Sequence, residues 1–184
     1  MLDSRKSVLL LSYDASAVAE MVSSELSKRL GFRVNAQEGR LPDLPRRDGQ
    51  INAESLIREL EARLASSGCG IVLGITTIDL YVPGKNFVFG LASSEGAVVS
   101  VFRLQSLDPL THRSRVLKEV THELGHVLGL EHCPHSLCVM HFSNTLADTD
   151  RKGTEFCHEC ASRLEALTGL DEVPSQLWLR RRES

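Results

Sequence analysis

The chain has 184 residues, of which 42% are hydrophobic and 24% are charged, as in an ordinary globular domain. Its net charge of −3 excludes the overall basic field with which proteins attract nucleic acid or anionic lipid. No apolar run approaches the length of a membrane span, and no secretory signal follows Met1. We therefore expect one cytoplasmic domain that is monomeric and binds neither nucleic acid nor membrane. The one basic run, Arg180–Arg182, is interpreted as a solvated tail.

Short apolar runs alternate with helical spacings through the first part of the chain. The apolar and β-branched runs predict strands at Val8–Tyr13, Phe32–Ala36, Ile71–Ile78, Phe87–Phe89 and Ala97–Phe102. Apolar residues repeat every three or four positions in Ser16–Leu30 and Ala53–Ser67, which predicts two helices. Residues 39–50 contain prolines, glycines and charges and are predicted to form a loop. Strands and helices in this order predict an α/β layout with a central sheet.

Two further helices are predicted in the second part of the chain. One covers Ser114–Leu130, and the other covers Glu155–Leu167 and ends at Gly169. Between them, Cys133–Thr154 has no regular periodicity and is predicted to be irregular.

The predicted helix at Ser114–Leu130 contains the residues His122-Glu123-Leu124-Gly125-His126. Four residues turn an α-helix by about 400°, so the two imidazoles project from one face, one turn apart. At that separation both can bind one zinc ion at about 2.0–2.1 Å. Glu123 is adjacent to a ligand, from where its carboxylate can reach the attacking water and act as a general base.

A third histidine follows once the helix has ended. Gly129 can adopt the left-handed conformation that closes a helix, and His132 comes three residues later. Three protein ligands leave one zinc position open, which is typical of a catalytic site. The pattern therefore predicts a catalytic zinc held by His122, His126 and His132, and it matches the extended metzincin signature.

Four of the five cysteines form two pairs, Cys133 with Cys138 and Cys157 with Cys160. Two such pairs can supply a closed tetrahedral thiolate site, which would hold a structural zinc and fasten the irregular segment to the last helix. Disulfides, an iron–sulfur centre and a zinc-ribbon nucleic-acid module remain alternatives. The fifth cysteine, Cys69, is interpreted as a small buried apolar residue.

The remaining histidines lack metal-ligand spacing and are interpreted as solvated or packed: His112, His135, His141 and His158. His141 is close to the site in sequence, which leaves a substrate contact open. Met140 follows the third histidine by eight residues. This spacing favours a Met-turn beneath the metal over simple core filling.

The combination of these motifs resembles the archaemetzincin family, in which a four-cysteine set is interleaved with the histidine motif. The resemblance covers residues 122–160 and shows no departure at a ligand position. It implies a zincin-like α/β (α+β) fold, in which a twisted mixed β-sheet with an antiparallel edge strand packs on helices that include the zinc-binding active-site helix. It implies a single catalytic domain over residues 1–184, with the sheet-and-helix part at 1–130 and the Met-turn, cysteine site and last helix at 131–184.

The resemblance also implies two Zn²⁺ per chain, one catalytic and one structural, with Glu123 as general base and Met140 as the Met-turn residue. We accordingly expect a zinc metallopeptidase that hydrolyses peptide or protein substrates. A substrate chain could pair with an edge strand, for which Ala97–Phe102 is the candidate. Two alternatives stay open: a non-catalytic zinc protein that binds peptides, and a zinc hydrolase of a non-peptide amide.

Overall fold

The computed structural model describes residues 6–168, so the basic run Arg180–Arg182 and the predicted helix end at Gly169 lie outside the described residues. The strands are β1 (Ser7–Tyr13), β2 (Arg33–Glu38), β3 (Arg46–Arg47), β4 (Gln50–Asn52), β5 (Ile71–Thr76), β6 (Leu80–Tyr81), β7 (Gly90–Ala92) and β8 (Gly96–Ser100). The α-helices are α1 (Ser16–Leu30), α2 (Ala53–Leu64), α3 (Pro109–Val127), α4 (Leu146–Arg151) and α5 (His158–Thr168).

The main sheet has five strands in the order β2-β1-β5-β8-β7. Its first four strands are parallel, and β7 runs antiparallel to β8 at the edge. A small second sheet contains β3, β4 and β6. The expected mixed sheet with an antiparallel edge strand is therefore confirmed.

Helices cover the main sheet on both faces, which explains the unbroken apolar run in β1. Val8 and Leu10 point into a core shared with α1 and α3, whereas Leu9 and Leu11 point into a core shared with α2. Each of these four side chains is at most 3% exposed. A period of two therefore buries the strand from Val8 onward, alternately on the two sides.

The longest helix, α3, begins at Pro109 and not at the predicted Ser114. The carboxylate of Asp108 accepts hydrogen bonds from the backbone N–H groups of Leu110 and Thr111, and proline at the first helical position needs no such partner. The helix ends as predicted before Gly129, whose φ is 96°. The N–H of Gly129 donates to His126 O at 2.9 Å and the N–H of Leu130 to Gly125 O at 2.9 Å. This pair of bonds is a Schellman motif, and it reverses the chain toward the third histidine.

Three predicted segments differ from the structure. Residues 39–50 are not wholly a loop, because they include β3 and the start of β4. The predicted strand Phe87–Phe89 forms only an isolated bridge at Val88, and the strand begins at Gly90. The segment Cys133–Thr154 contains α4, which begins with a capping box between Thr145 and Asp148.

The prediction that Ala97–Phe102 is an edge strand open to substrate is wrong. It corresponds to β8, which pairs with β5 on one side and with β7 on the other. Its backbone groups are therefore used within the sheet. The free edge at this end belongs to β7.

Candidate active site

The three predicted histidine ligands meet at the end of α3. One ring nitrogen of each histidine lies within 4.8 Å of the corresponding nitrogens of the other two. His122 and His126 are one turn apart on the helix, and their Nε2 atoms are 3.1 Å apart. The Schellman turn carries the chain back so that the ring of His132 lies 4.8 Å from that of His126, centroid to centroid. A tetrahedral zinc with Zn–N bonds near 2.1 Å would place its nitrogen ligands about 3.4 Å apart.

The hydrogen bonds of the two helical histidines fix which nitrogen faces the site. His122 Nδ1 lies 2.8 Å from Val139 O, and His126 Nδ1 lies 2.8 Å from Leu130 O. Because a carbonyl only accepts, each Nδ1 carries the proton, and each neutral ring presents an Nε2 lone pair to the other. Two lone pairs at this distance repel unless a cation lies between them. The donor set therefore fits a metal ion, with carbonyls orienting the ligands as in other zinc sites.

Burial keeps the rings of His122 and His132 neutral. It lowers the pKa of His122 from 6.5 to about 2, with a further contribution from the positive charge of Lys152. It also lowers the pKa of His132, which the neighbouring His126 depresses further. Neutral imidazole is the form that binds a metal, so the site is ready for one at neutral pH.

Glu123 lies beside the first histidine and is only 7% exposed. Burial raises the pKa of its carboxyl from 4.5 to about 8, and the nearby Glu119 adds to this rise. Strand β7 packs directly against the side chain. A Cβ atom on Gly90 would lie 2.7 Å from both Cγ and Oε1 of Glu123. Glycine at position 90 therefore lets the edge strand approach the carboxylate, and no sequence pattern indicates this role.

A buried ion pair lies one helical turn before Glu123. Lys152 Nζ is 3.1 Å from Glu119 Oε1, and the two side chains are 0% and 3% exposed. The hydroxyl of Thr149 donates to the same oxygen at 3.0 Å. The pair joins α3 to the segment after α4, and Lys152 lowers the pKa of Glu123. Sequence reasoning missed both residues, since a single lysine in an irregular segment usually lies in solvent.

The histidines and Glu123 form the floor of an open cleft, hereafter the catalytic cleft. The edge strand β7 and the preceding residues Phe87–Phe89 also line the cleft, as do Phe142 and Asn144. The ring of Phe142 is 46% exposed and lies 5.0 Å from the ring of His132. Lys85 stands at the mouth, with its Nζ 5.6 Å from the Phe142 ring centroid. An exposed aromatic ring against a metal ligand offers an apolar surface to a substrate.

The four paired cysteines also converge, as predicted. Their sulfur atoms lie within 4.8 Å of one another, and all four residues are buried free thiols. Cys133 Sγ and Cys157 Sγ are 3.7 Å apart, far beyond the about 2.05 Å of a disulfide. A single ion with bonds near 2.3 Å in tetrahedral geometry spaces its sulfurs about 3.8 Å apart. A multi-iron cluster would need wider spacing, so the group fits one metal ion.

Backbone N–H groups support the sulfur atoms of this group. His135 N donates to Cys133 Sγ at 3.4 Å, and Cys157 N donates to Cys138 Sγ at 3.3 Å. Burial raises the pKa of Cys138 to about 12, so without a cation this thiol stays protonated. The group belongs to the hydrophobic cluster around Met140 and not to a separate module, which disfavours the zinc-ribbon alternative.

Met140 joins the two groups. It is fully buried, and its carbonyl accepts a hydrogen bond from Cys133 N at 2.9 Å. Its thioether lies under Gly125, between the two helical histidines. A Cβ atom on Gly125 would approach Met140 Cε to 3.0 Å and the sulfur more closely still. Met140 therefore packs against the helix turn that carries both histidines, and Gly125 provides the space for it.

The other predicted residues take minor positions. His112 Nδ1 contacts Leu104 O at 3.2 Å, and His141 Nδ1 contacts Cys133 O at 2.9 Å, so both are packed by their backbone partners. His135 lies in the cysteine loop, where its Nδ1 accepts from Leu137 N at 3.3 Å. Cys69 is half-buried against the core beneath α2.

Comparisons with known proteins agree with this geometry. Residues 30–166 match Peptidase family M54. The archaemetzincin of Methanopyrus kandleri is 43% identical over 155 residues, which cover 82% of this chain and 87% of that protein. The archaemetzincin of Archaeoglobus fulgidus is 54% identical over 96 residues, which cover 51% of this chain and 59% of that protein.

Solved structures show the same fold. The crystal structure of the M. kandleri archaemetzincin matches with a TM-score of 0.81 and 39% identity, covering 90% of this chain and 97% of that chain. The A. fulgidus archaemetzincin matches with a TM-score of 0.78 and 37% identity, covering 85% and 99%. A zinc-dependent peptidase from Methanocorpusculum labreanum matches with a TM-score of 0.73 and 27% identity, covering 86% and 99%.

The fold and the ligand groups define a zinc metallopeptidase. More specifically, the chain belongs to peptidase family M54. The two curated relatives described above are both archaemetzincins. Within residues 6–168, no helix is both long enough and apolar enough to cross a membrane.

Proposed function

We propose that the chain hydrolyses peptide bonds at a catalytic zinc held by His122, His126 and His132, with Glu123 as the general base. One observation carries this proposal: three neutral imidazole nitrogens converge at the floor of an open cleft, directly beside a buried carboxylate. A protein that only bound peptides would have no use for a buried base at that position.

The zinc ion, when bound, polarises the scissile carbonyl and lowers the pKa of the attacking water to roughly 7. Glu123 then takes a proton from that water and passes it to the leaving amine. Burial raises the pKa of this carboxyl toward neutrality, which makes it a stronger base than an exposed glutamate. A dication at the histidines acts in the opposite direction and keeps the carboxylate ionised. Gly90 and β7 hold the side chain in place.

The substrate chain is proposed to lie along β7. This strand ends the sheet, lines the catalytic cleft and leaves one edge unpaired within the described sheet. An extended peptide can add to such an edge through backbone hydrogen bonds, which position any sequence in the same way. Side chains that alternate along the peptide would then reach Phe142 and the mouth of the cleft.

A second zinc, held by Cys133, Cys138, Cys157 and Cys160, is proposed to be structural. Four protein sulfurs would fill its coordination, and all four residues are at most 8% exposed. Because Cys133 directly follows His132, the ion would fix the chain that carries the third imidazole. Two zinc ions per chain in a single catalytic domain follow from this assignment.

Metal content and turnover test these proposals together. Wild type, His126→Ala and Cys157→Ser are analysed for zinc per chain by plasma mass spectrometry, and two, one and one ions are expected. Loss of only one of the two ions in each variant, from different sites, distinguishes the sites. Retention of two ions in His126→Ala would refute the histidine assignment.

Glu123→Gln tests the general base, since the amide keeps the shape but cannot accept the proton. This variant should keep both zinc ions and lose at least ~100-fold in kcat on a peptide that wild type cleaves. Undiminished turnover would refute the mechanism. A zinc-loaded wild type that binds peptides without cleaving them would favour the binding-protein alternative, and cleavage of simple amides alone would favour the non-peptide one.

A further inference from the structure

The mouth of the catalytic cleft carries a cation whose charge is not neutralised by any residue in the described range 6–168. Lys85 is exposed and lines the cleft, and none of the described residues places a carboxylate within ion-pair distance of its ammonium. The two described carboxylates that line the cleft are Glu119 and Glu123. The first is paired with Lys152, and the second is buried at the catalytic position.

Two described arginines contact residues of the cleft lining without lining the cleft themselves, and both are already engaged. Arg103 makes a bidentate contact with Asp79, with donor–acceptor distances of 2.7–3.0 Å, and stacks on Phe87. Arg47 stacks on Tyr81 and donates to backbone carbonyls. Of these three cations, Lys85 is therefore the one that is available to a ligand.

The backbone that carries Lys85 is fastened in place. Arg47 Nη2 donates to Lys85 O at 2.9 Å and to Asn86 O at 3.0 Å. Gln50 Nε2 donates to Asn86 O at 2.9 Å and also to buried Asp79 at 2.9 Å. These bonds connect the loop to the small second sheet, so the position of the Lys85 backbone is set by the fold. A fixed backbone reduces the entropy that a lysine loses when it binds a ligand.

The position of the ammonium relative to the catalytic residues defines what it can recognise. Its Nζ lies over the ring of Phe142 at 5.6 Å, and that ring contacts His132 at 5.0 Å. One aromatic ring thus separates the cation from a metal ligand. An extended peptide advances about 3.3 Å per residue, so a group that reaches Lys85 lies one to three residues from the scissile bond.

We propose that Lys85 forms a carboxylate-binding subsite at the mouth of the catalytic cleft, beside the exposed ring of Phe142. The preferred substrates are peptides with a carboxylate, from an acidic side chain or from the C-terminus, one to three residues from the scissile bond. The inference rests on the peptidase function proposed above, because the cleft is where substrate binds. A half-solvated ion pair of this kind corresponds to ~5-fold in binding or in kcat/KM.

Three peptides that differ only at one flanking residue and at the C-terminal group test the subsite and distinguish the two sources of the carboxylate. The first has glutamate at the flanking position and an amidated C-terminus, the second has glutamine and a free C-terminal carboxylate, and the third has glutamine and an amide. The set is repeated with the acidic group one, two and three residues from the scissile bond. At one of these positions the zinc-loaded wild type should cleave an acidic peptide ~5-fold faster, by kcat/KM, than the neutral one. The preference should fall at about 1 M salt, where the Debye length is about 3 Å.

Charge reversal identifies the residue. Lys85→Glu should abolish the preference and favour a lysine-containing peptide instead. Lys28→Glu, at an exposed position of α1 that does not line the cleft, makes the same change in net charge and should leave the preference as in wild type. Equal kcat/KM for all three peptides in wild type, or the same loss of preference in both variants, would overturn the subsite.

Binding separates this proposal from the peptidase assignment. The affinities of the three peptides are measured by fluorescence anisotropy on zinc-loaded Glu123→Gln, with and without Lys85→Glu. Acid-selective binding that depends on Lys85, in a protein whose wild type cleaves nothing, would refute the peptidase function and retain the subsite. Equal or absent binding of the acidic and neutral peptides would overturn the subsite, whatever the turnover.

Discussion

Replacing Lys152 with methionine should strongly destabilise the fold, because it would leave a buried carboxylate without its counter-ion. Lys152 Nζ lies 3.1 Å from Glu119 Oε1, with the two side chains 0% and 3% exposed. Methionine fills much of the same volume, so the change removes charge more than packing. Breaking a buried ion pair by removing one partner typically costs about 3–5 kcal/mol. The remaining bond from Thr149 to Glu119 cannot replace an ammonium.

The free energy of unfolding is measured by guanidinium denaturation of zinc-loaded protein, comparing wild type with Lys152→Met. The midpoint should fall while the slope stays unchanged, since the surface exposed on unfolding is the same. Lys28→Met is the matched control, because it removes an exposed lysine and should change stability by less than about 0.5 kcal/mol. The double variant with Glu119→Gln should recover a large part of the loss, because the unpaired charge is then gone.

A loss below about 1 kcal/mol in Lys152→Met would refute the reasoning, since it would mean that water or another group already neutralises Glu119. A double variant as unstable as the single one would show that packing matters and charge does not. The active site provides a second measurement. Lys152 lowers the pKa of Glu123, so its removal should raise that pKa and move the acid limb of kcat/KM to higher pH.

Three further predictions concern the histidine site. Gly125→Ala should lower the free energy of unfolding by about 1–3 kcal/mol and weaken retention of the catalytic zinc, because the new Cβ would lie 3.0 Å from Met140 Cε. Unchanged thermal stability and zinc content would contradict this prediction. Gly90→Ala should lower kcat by ~100-fold with zinc content unchanged, because its Cβ would lie 2.7 Å from Glu123 Oε1 and displace the carboxylate. For His122, whose pKa falls from 6.5 to about 2 on folding, the unfolded chain takes up the proton first. The contribution of His122 to the stability of chelated protein should therefore be flat above pH 6.5 and fall below it, by up to about 1.4 kcal/mol per pH unit, measured as the difference between wild type and His122→Ala in denaturation curves recorded across that range.

The convergence of the proposed metal ligands could be predicted in large part because it depends on local geometry. His122 and His126 share a helix, and one helical turn determines their separation. Gly129 carries the positive φ that a helix end requires, and this brings His132 back. The two cysteines of each pair are also close in sequence, so the sequence left open only whether the two pairs meet. They do, with sulfurs within 4.8 Å of one another.

The supports of the site could not be predicted, because each lies in a different part of the chain from the group it contacts. Lys152 is 33 residues after Glu119, as their numbers show, and nothing in either local sequence indicates a buried pair. Gly90 was placed next to a strand predicted at Phe87–Phe89, yet its contact is with Glu123 on α3. The short strands at residues 46–52 form through pairing with each other and with β6, which no local periodicity encodes.

Local sequence encodes the ligand types, their order and the alternation of strands and helices, because helical turns, glycine conformations and apolar periods act over a few residues. Which strand is the free edge depends instead on how the whole chain packs. The sequence favoured Ala97–Phe102, but that segment lies inside the sheet, and β7 is at the border beside the histidines. Strand order depends on which surfaces pack against each other in the folded chain. The buried environment that raises the pKa of Glu123 depends on the same packing.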